Sequence, residues 1–246
     1  MSLKLLVIIP TYNESKNIAR LISLIESLNV QGLDILVIDD NSPDKTAEVV
    51  NRLKASYNNL SLLTRDKKLG LGSAYIAGFR WAIKNNYEAV VEMDADFSHN
   101  PQYLIKIINS LKTHDFVIGS RYVRQGGVKN WTFLRRLISR AGNIYAKIIL
   151  GVGVCDLTGG FNAWKIDVFK KINLDEIKSN GYSFQIEIKY RSIKNGFTFI
   201  ELPIVFYERE EGKSKMSKSI FFEAIWRVWS LRYHKTISSK KGKKNF

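Results

Sequence analysis

The sequence predicts an α/β protein built on a doubly wound, mostly parallel sheet, and three observations carry that expectation. Short runs rich in Ile, Val and Leu alternate with helical patterns through the first 120 residues, as they do where helices cover both faces of a parallel sheet. Polar and acidic residues follow directly on three of those runs, at the strand ends where open α/β sheets hold their ligands. The 246 residues, 45% hydrophobic and 12% aromatic, suffice for a substantial core and exclude a disordered chain.

The predicted strands run over residues 3–10, 34–39, 60–64, 87–93 and 115–120. Ile18, Leu21, Ile22, Ile25 and Leu28 recur at i, i+3, i+4, i+7 and i+10, the spacing of one helix face. Ser42-Pro43-Asp44 reads as the start of the next helix: a capping serine, a proline at the first helical position and an early acid. A further helix follows Pro101 through Tyr103, Leu104, Ile107, Ile108 and Leu111.

Residues 133–150 read as an amphipathic helix whose apolar stripe is Leu134, Leu137, Ile138, Ala141, Ile144, Tyr145 and Ile148. On it Arg135 and Ser139 share one face and Arg136 and Arg140 another, each pair four residues apart. Two placements are open: packed on the sheet, or at a membrane boundary where arginines meet phosphate headgroups. Residues 202–206 read as an edge strand, because Pro203 cannot donate to a central ladder. A second amphipathic stretch spans 220–233, where Trp226 and Trp229 beside Arg227 and Arg232 suit an interfacial belt. Gly126-Gly127 and the 208–216 run read as mobile loops able to close over a ligand, and residues 236–246 as a basic flexible tail.

The formal net charge is +15, from 38 basic and 23 acidic residues. Residues 1–120 hold 13 of each, so the whole excess lies in residues 121–246. Such an excess points to a polyanionic partner: nucleic acid, an anionic membrane surface or a phosphorylated substrate. The single cysteine, Cys155, excludes a disulfide framework and a multi-cysteine zinc site. No signal-type segment opens the chain, and its longest uninterrupted apolar candidate, residues 148–155, is far below the ~20 residues of a membrane helix. A soluble or peripheral chain is expected.

The strand exits carry the chemistry. Pro10-Thr11-Tyr12-Asn13-Glu14, Ile38-Asp39-Asp40-Asn41-Ser42 and Met93-Asp94-Ala95-Asp96 converge on one crevice. Asp94 and Asp96 are hard oxygen ligands suited to Mg2+ or Mn2+ shared with a diphosphate. Asp39 reads equally well as a cap for the following helix, and His99 as a solvated loop residue. No Walker lysine or G-x-G-x-x-G is present, and Gly70-Leu71-Gly72 is a short turn.

Those three segments together resemble glycosyltransferase family 2, and within it the dolichyl-phosphate (polyprenyl-phosphate) mannosyltransferases. The resemblance continues through Lys68-Leu69-Gly70-Leu71-Gly72, Gly119-Ser120-Arg121-Tyr122, Gly126-Gly127-Val128, Ser139-Arg140, the 156–161 and 181–185 segments and the 209–215 run, covering about residues 4 to 230. It implies a nucleotide-diphospho-sugar transferase (GT-A type) fold with C-terminal amphipathic helices, as one catalytic domain over 1–235. Within it, a donor half covers about 1–120 and an acceptor half about 121–235. The implied reaction is inverting transfer of mannose from GDP-mannose to dolichyl or polyprenyl phosphate with Mg2+ or Mn2+, on the cytoplasmic face of a membrane. A peripheral attachment or a separate anchoring subunit would replace membrane helices.

By the same resemblance Pro10, Tyr12 and Glu14 line the nucleotide pocket, and Ile38 and Asp40 hold base and ribose. Asp94, Ala95 and Asp96 form the metal and sugar-diphosphate segment, with Asp96 the direct ligand; Ser98 stands where some relatives carry a metal-binding Gln. Arg121, Arg209 and Lys215 gather phosphates, with Asp96 and Arg121 at the reacting centre. Arg121, Arg135 and Ser139 fit the acceptor-phosphate positions, the neighbours Arg136 and Arg140 leaving the register open by one. Asp156 reads either as a base or as a residue that orients an arginine or a loop. A phosphate acceptor is already an anion near neutral pH, its second pKa being about 6, so a strong base is unnecessary and a cationic cradle is required instead.

Two other functions compete. A glucosyltransferase using UDP-glucose keeps the chemistry and changes the donor. A nucleic-acid-binding protein would account for the charge, but no RNP-type motif, zinc pattern or basic recognition helix is present, and it leaves the strand-exit carboxylates without a role.

Overall fold

The computed structural model describes residues 3–177, 179, 181–208 and 226–233. Its strands are β1 (Leu5–Thr11), β2 (Leu33–Asp39), β3 (Leu60–Thr64), β4 (Ala89–Glu92), β5 (Phe116–Ser120), β6 (Gly127–Lys129), β7 (Asn162–Lys165), β8 (Phe199–Pro203) and β9 (Val205–Tyr207). The helices are α1 (Ile18–Glu26), α2 (Thr46–Leu53), α3 (Leu71–Lys84), α4 (Tyr103–Ser110), α5 (Phe133–Leu150), α6 (Ile166–Lys171) and α7 (Gly181–Lys194). Residues 226–233 add a helical segment.

Seven strands form one sheet in the order β3-β2-β1-β4-β7-β5-β8. All pairs are parallel except those of β7, which runs antiparallel to both β4 and β5. Side chains alternate across β1: Leu6 and Ile8 join one core layer with α3, α6 and α7, while Leu5, Val7 and Ile9 join the other with α1 and α4. Burial on both faces is what a near-continuous Leu-Val-Ile run signals. Helix α3 sits so close to the sheet that a Cβ on Gly78 would lie 2.7 Å from Ile8 Cγ2 and 3.0 Å from Ile38 Cδ1.

The five predicted strands are present, that over 60–64 with the predicted bounds and the others with ends shifted by no more than two residues. Other details differ from expectation. Helix α2 begins at Thr46, not at Pro43: its N-cap Lys45 takes a left-handed φ of 65°, and the preceding Asp44 carboxylate accepts from the Thr46 N–H at 3.1 Å and its hydroxyl at 2.6 Å. Gly127 is not in a loop: it opens β6, which pairs in parallel with β9 as a small second sheet. The predicted strand over 202–206 is divided between β8, at the edge of the main sheet, and β9.

Helix α5 differs most. Its apolar stripe faces outward, with Leu134 63% and Ile148 70% exposed and Phe133, at its start, 80% exposed. The buried residues are Asn143, Ala146 and Leu150. Tyr145 of the stripe packs against the core, but most of the stripe does not seat α5 on the sheet. The Asn143 amide is the anchor instead, accepting from Leu157 N–H at 2.8 Å and donating to the Ser139 carbonyl and the Thr158 hydroxyl. Among the described residues no helix is long and apolar enough to cross a membrane.

Candidate active site

The crevice opens where the strand order reverses, with β1 between β2 and β4, the position at which open α/β sheets bind ligands. Pro10 lies opposite Ile38 in the β1–β2 register, and the Ile38 side chain is fully buried against α3. Just beyond, Lys68 Nζ sits 4.0 Å from the centre of the Tyr12 ring. Glu14 is tied down through its N–H to the Thr46 hydroxyl and its carboxylate to Asn17.

Asp39 and Asp40 have separate tasks. Asp39 accepts from the Thr11 and Ser42 hydroxyls and from Ser42 N–H, at 2.6–2.9 Å, knotting the β1 and β2 exits together rather than capping α2. Asp40 receives a two-pronged guanidinium from Arg65, at 2.6 and 2.7 Å. Arg65 follows the third strand directly and also donates to Ser73. Its place at a strand exit was a readable signal that the three acidic motifs overshadowed.

The Asp94-Ala95-Asp96 segment leaves β4 through a sharp turn in which Phe97 takes a φ of 61°, a left-handed conformation costly for a bulky residue. Asp96 is buried and accepts from Ser98 N–H at 3.1 Å. Asp94 is partly exposed and accepts from the Tyr75 hydroxyl at 3.3 Å. His99 is not solvated. It is buried with its ring stacked on Phe161 and edge-on to Phe206, and its Nδ1 accepts the Asp94 N–H at 3.0 Å. Burial holds its pKa below the ordinary value, and the neutral ring supplies the acceptor that shapes the turn.

Among the described residues no three His, Cys, Asp or Glu side chains gather as a self-sufficient metal cluster. Two carboxylates one residue apart nonetheless suit Mg2+, which takes one or two protein carboxylates and completes its shell with substrate phosphates and water. The donor set fits such an ion.

Arg121 follows β5 and is buried on Asp156, Nε to Oδ2 and Nη2 to Oδ1 both at 2.7 Å, with a third bond to the Thr158 hydroxyl. Burial opposes both charges, but their attraction outweighs it: the Asp156 pKa lies below its ordinary value and that of Arg121 above. Lys189 of α7, also fully buried, donates to the carbonyls of Asp156, Leu157 and Gly159 at 3.1, 3.2 and 2.6 Å. Burial lowers its pKa to about 8, against the pull of Asp156 and Glu92. No sequence pattern singled it out, since a lysine in an amphipathic run reads as surface.

On α5 the two arginine faces differ in burial. Arg136 and Arg140 are exposed, whereas Arg135 and Ser139 turn inward. Ser139 Oγ lies 2.6 Å from the Tyr122 hydroxyl, and Arg135 stacks 4.2 Å over Trp131 and pairs with Glu208 at 2.7 Å. Trp131 meets Phe206 edge-on at 5.5 Å, and Phe206 meets His99 at 5.5 Å. Two aromatic rings and one histidine thus join the Asp94 turn to the inward face of α5. Arg209, Lys215 and the 208–216 loop beyond Glu208 lie outside the described residues, as do residues 220–225 and the 236–246 tail.

The model of glycosyl transferase family 2 matches residues 6–172. The chain belongs to this family. It is 43% identical over 231 residues to polyprenol monophosphomannose synthase of Mycolicibacterium smegmatis, covering 92% of this chain and 87% of that protein. It is 42% identical to undecaprenyl-phosphate mannosyltransferase of Micrococcus luteus, covering 93% and 95%. Glucosyl-3-phosphoglycerate synthase from Mycobacterium tuberculosis, solved with Mn2+, uridine diphosphate and phosphoglyceric acid, superimposes with a TM-score of 0.70 at 16% identity, over 94% of this chain and 78% of that one. The family 2 chain described here is a glycosyltransferase with the GT-A-like α/β fold.

Proposed function

We propose that this glycosyltransferase moves mannose, with inversion, from GDP-mannose to dolichyl or another polyprenyl phosphate. The observation that carries the reading is the aromatic link between the Asp94 turn and the inward Arg135–Ser139 face, beside an apolar stripe left uncovered. A sugar-diphosphate site, an anion site and an apolar surface are then in sequence, as a phosphate-headed lipid requires. The names of the two bacterial relatives support the same acceptor class and sugar.

In this reading residues 1–235 are one catalytic domain, with a donor half of about 1–120, an acceptor half of about 121–235 and a basic tail at 236–246. Pro10, Tyr12, Glu14 and Asp40 line the nucleotide pocket, with the Ile38 backbone. Asp94 and Asp96 would hold Mg2+ or Mn2+ shared with the donor diphosphate, Ala95 belongs to the same donor segment, and Arg209 and Lys215 are assigned to its phosphates. Such an ion, when bound, offsets the charge that grows on the leaving diphosphate. Arg135 and Ser139 hold the acceptor phosphate, whose oxygen attacks the anomeric carbon as the bond to the diphosphate breaks. No base is needed, and Asp156, an anion already saturated by Arg121 and Gly159 N–H, is an orienting residue. Arg121 sets positive charge behind the reacting groups.

The stripe of α5, with Trp226 76% exposed on the C-terminal helical segment, lies on the cytoplasmic face of a membrane in this reading, directly or through an anchoring subunit. The test is a donor panel: protein, Mg2+ or Mn2+, polyprenyl phosphate, and labelled GDP-mannose or UDP-glucose. Lipid-linked label from GDP-mannose is the expected result. Label from UDP-glucose alone rejects the donor.

A further inference from the structure

We propose that Glu208 is an internal competitor of the acceptor phosphate: its carboxylate occupies Arg135 until the acceptor arrives, and it sets the acceptor's KM. The inference rests on the reading of Arg135 as an acceptor-phosphate residue. It goes beyond it by assigning a role to an acidic side chain that no motif singled out.

Arg135 is the third residue of α5, where Thr132 caps the helix by accepting its N–H at 3.3 Å. Backbone N–H groups point outward at such an end and favour an anion. The guanidinium carbon sits over Trp131, 4.2 Å from the ring centre, so the ring and the Glu208 pair hold the group in place. Trp131 Nε1 is itself buried without a hydrogen-bond partner. Into this place the chain inserts one of its own oxyanions, Glu208 Oε1, 2.7 Å from Arg135 Nη1.

The Glu208 backbone is fixed by its N–H to the Lys129 carbonyl at 3.2 Å, one step past the β6–β9 pairing. The carboxylate is therefore held within reach of Arg135, not brought there by chance collision. Yet the pair is open to solvent, with side-chain exposures of 22% for Arg135 and 42% for Glu208. A pair so exposed is weak and displaceable, unlike the buried Arg121–Asp156 pair. A phosphate monoester, with about −1.5 to −2 charge at pH 7 and three acceptor oxygens, outcompetes a single carboxylate for the same guanidinium. The two anions repel at that spacing, so acceptor binding requires that Glu208 let go.

Steady-state kinetics on Glu208→Gln and Arg135→Gln, varying polyprenyl phosphate and donor in turn, tests both layers. Glu208→Gln keeps the size and removes the charge; it should lower the acceptor KM by about 1.5- to fivefold, the span of a solvent-exposed pair, with the donor KM unchanged. Arg135→Gln should raise the acceptor KM by at least tenfold. If Arg135→Gln raises it while Glu208→Gln leaves it unchanged or higher, Glu208 is not a competitor and the inference fails alone. If Arg135→Gln leaves the acceptor KM unchanged, the reading of Arg135 fails and the competitor role falls with it.

Discussion

Asp96, Asp156 and Lys189 show how differently three buried charged side chains are used. Asp96 gives one oxygen to the Ser98 N–H of its own turn. Asp96→Ala should reduce transfer by at least about 10³-fold while circular dichroism and thermal midpoint stay near those of the parent. Asp156 has the opposite profile, because removing it strands the Arg121 guanidinium away from water. Asp156→Asn should cost about 3–5 kcal/mol of stability, measured by urea unfolding. Its depressed pKa makes that contribution complete above the ordinary carboxylate range and lost as the pH falls through the folded value. Lys189 has the same sign in a higher window: the folded chain holds this proton only below about 8, the unfolded chain up to about 10.4. The unfolded state thus carries more protons between these values, and the lysine's contribution to stability rises with pH across that window. Lys189→Met should lower stability at pH 7 by about 2–4 kcal/mol, since buried carbonyls lose their donor, and should flatten that rise. Asp96 was legible because its chemistry is written in a three-letter segment, Asp94-Ala95-Asp96; Lys189 was not, because only a packed α7 takes a lysine's amine to three carbonyls far away in sequence.

At the scale of elements, the first five strands were readable because β1, β2 and β4 are buried on both faces and their apolar runs are nearly unbroken. Strand β7 was not, since four residues of mixed character owe their pairing to β4 and β5 on either side. Helix α5 had a readable period, but periodicity names a stripe without saying what covers it. Here most of the stripe is exposed, and Asn143, Ala146 and Leu150 seat the helix. Placing charge on the stripe, as in the double substitution Leu134→Glu and Ile148→Glu, should change stability by no more than about 0.5 kcal/mol per site. The same change should abolish co-sedimentation with vesicles containing anionic lipid. Retained vesicle binding would reject α5 as the membrane-facing element.

For the whole molecule, the +15 charge acquires an address. The neutral first half builds the Asp40 and Asp94 strand exits, and the basic second half carries Arg121 and Arg135. If the basic half meets a phosphate-rich surface, vesicle binding should weaken several-fold between about 50 and 300 mM salt, as screening shortens to a few ångströms. Salt-independent binding would mean that the apolar stripe acts alone. The sequence by itself determined the α/β class, the family and the carboxylates at three strand exits, because periodicity and local motifs are properties of neighbouring residues. Only the tertiary structure decided which arginine is buried on Asp156, which face of α5 turns inward, that His99 is enclosed by Phe161 and Phe206, and that Glu208 sits on Arg135. Each of those depends on residues distant in the chain being brought within a few ångströms, where burial and charge pairing set what a side chain is able to do.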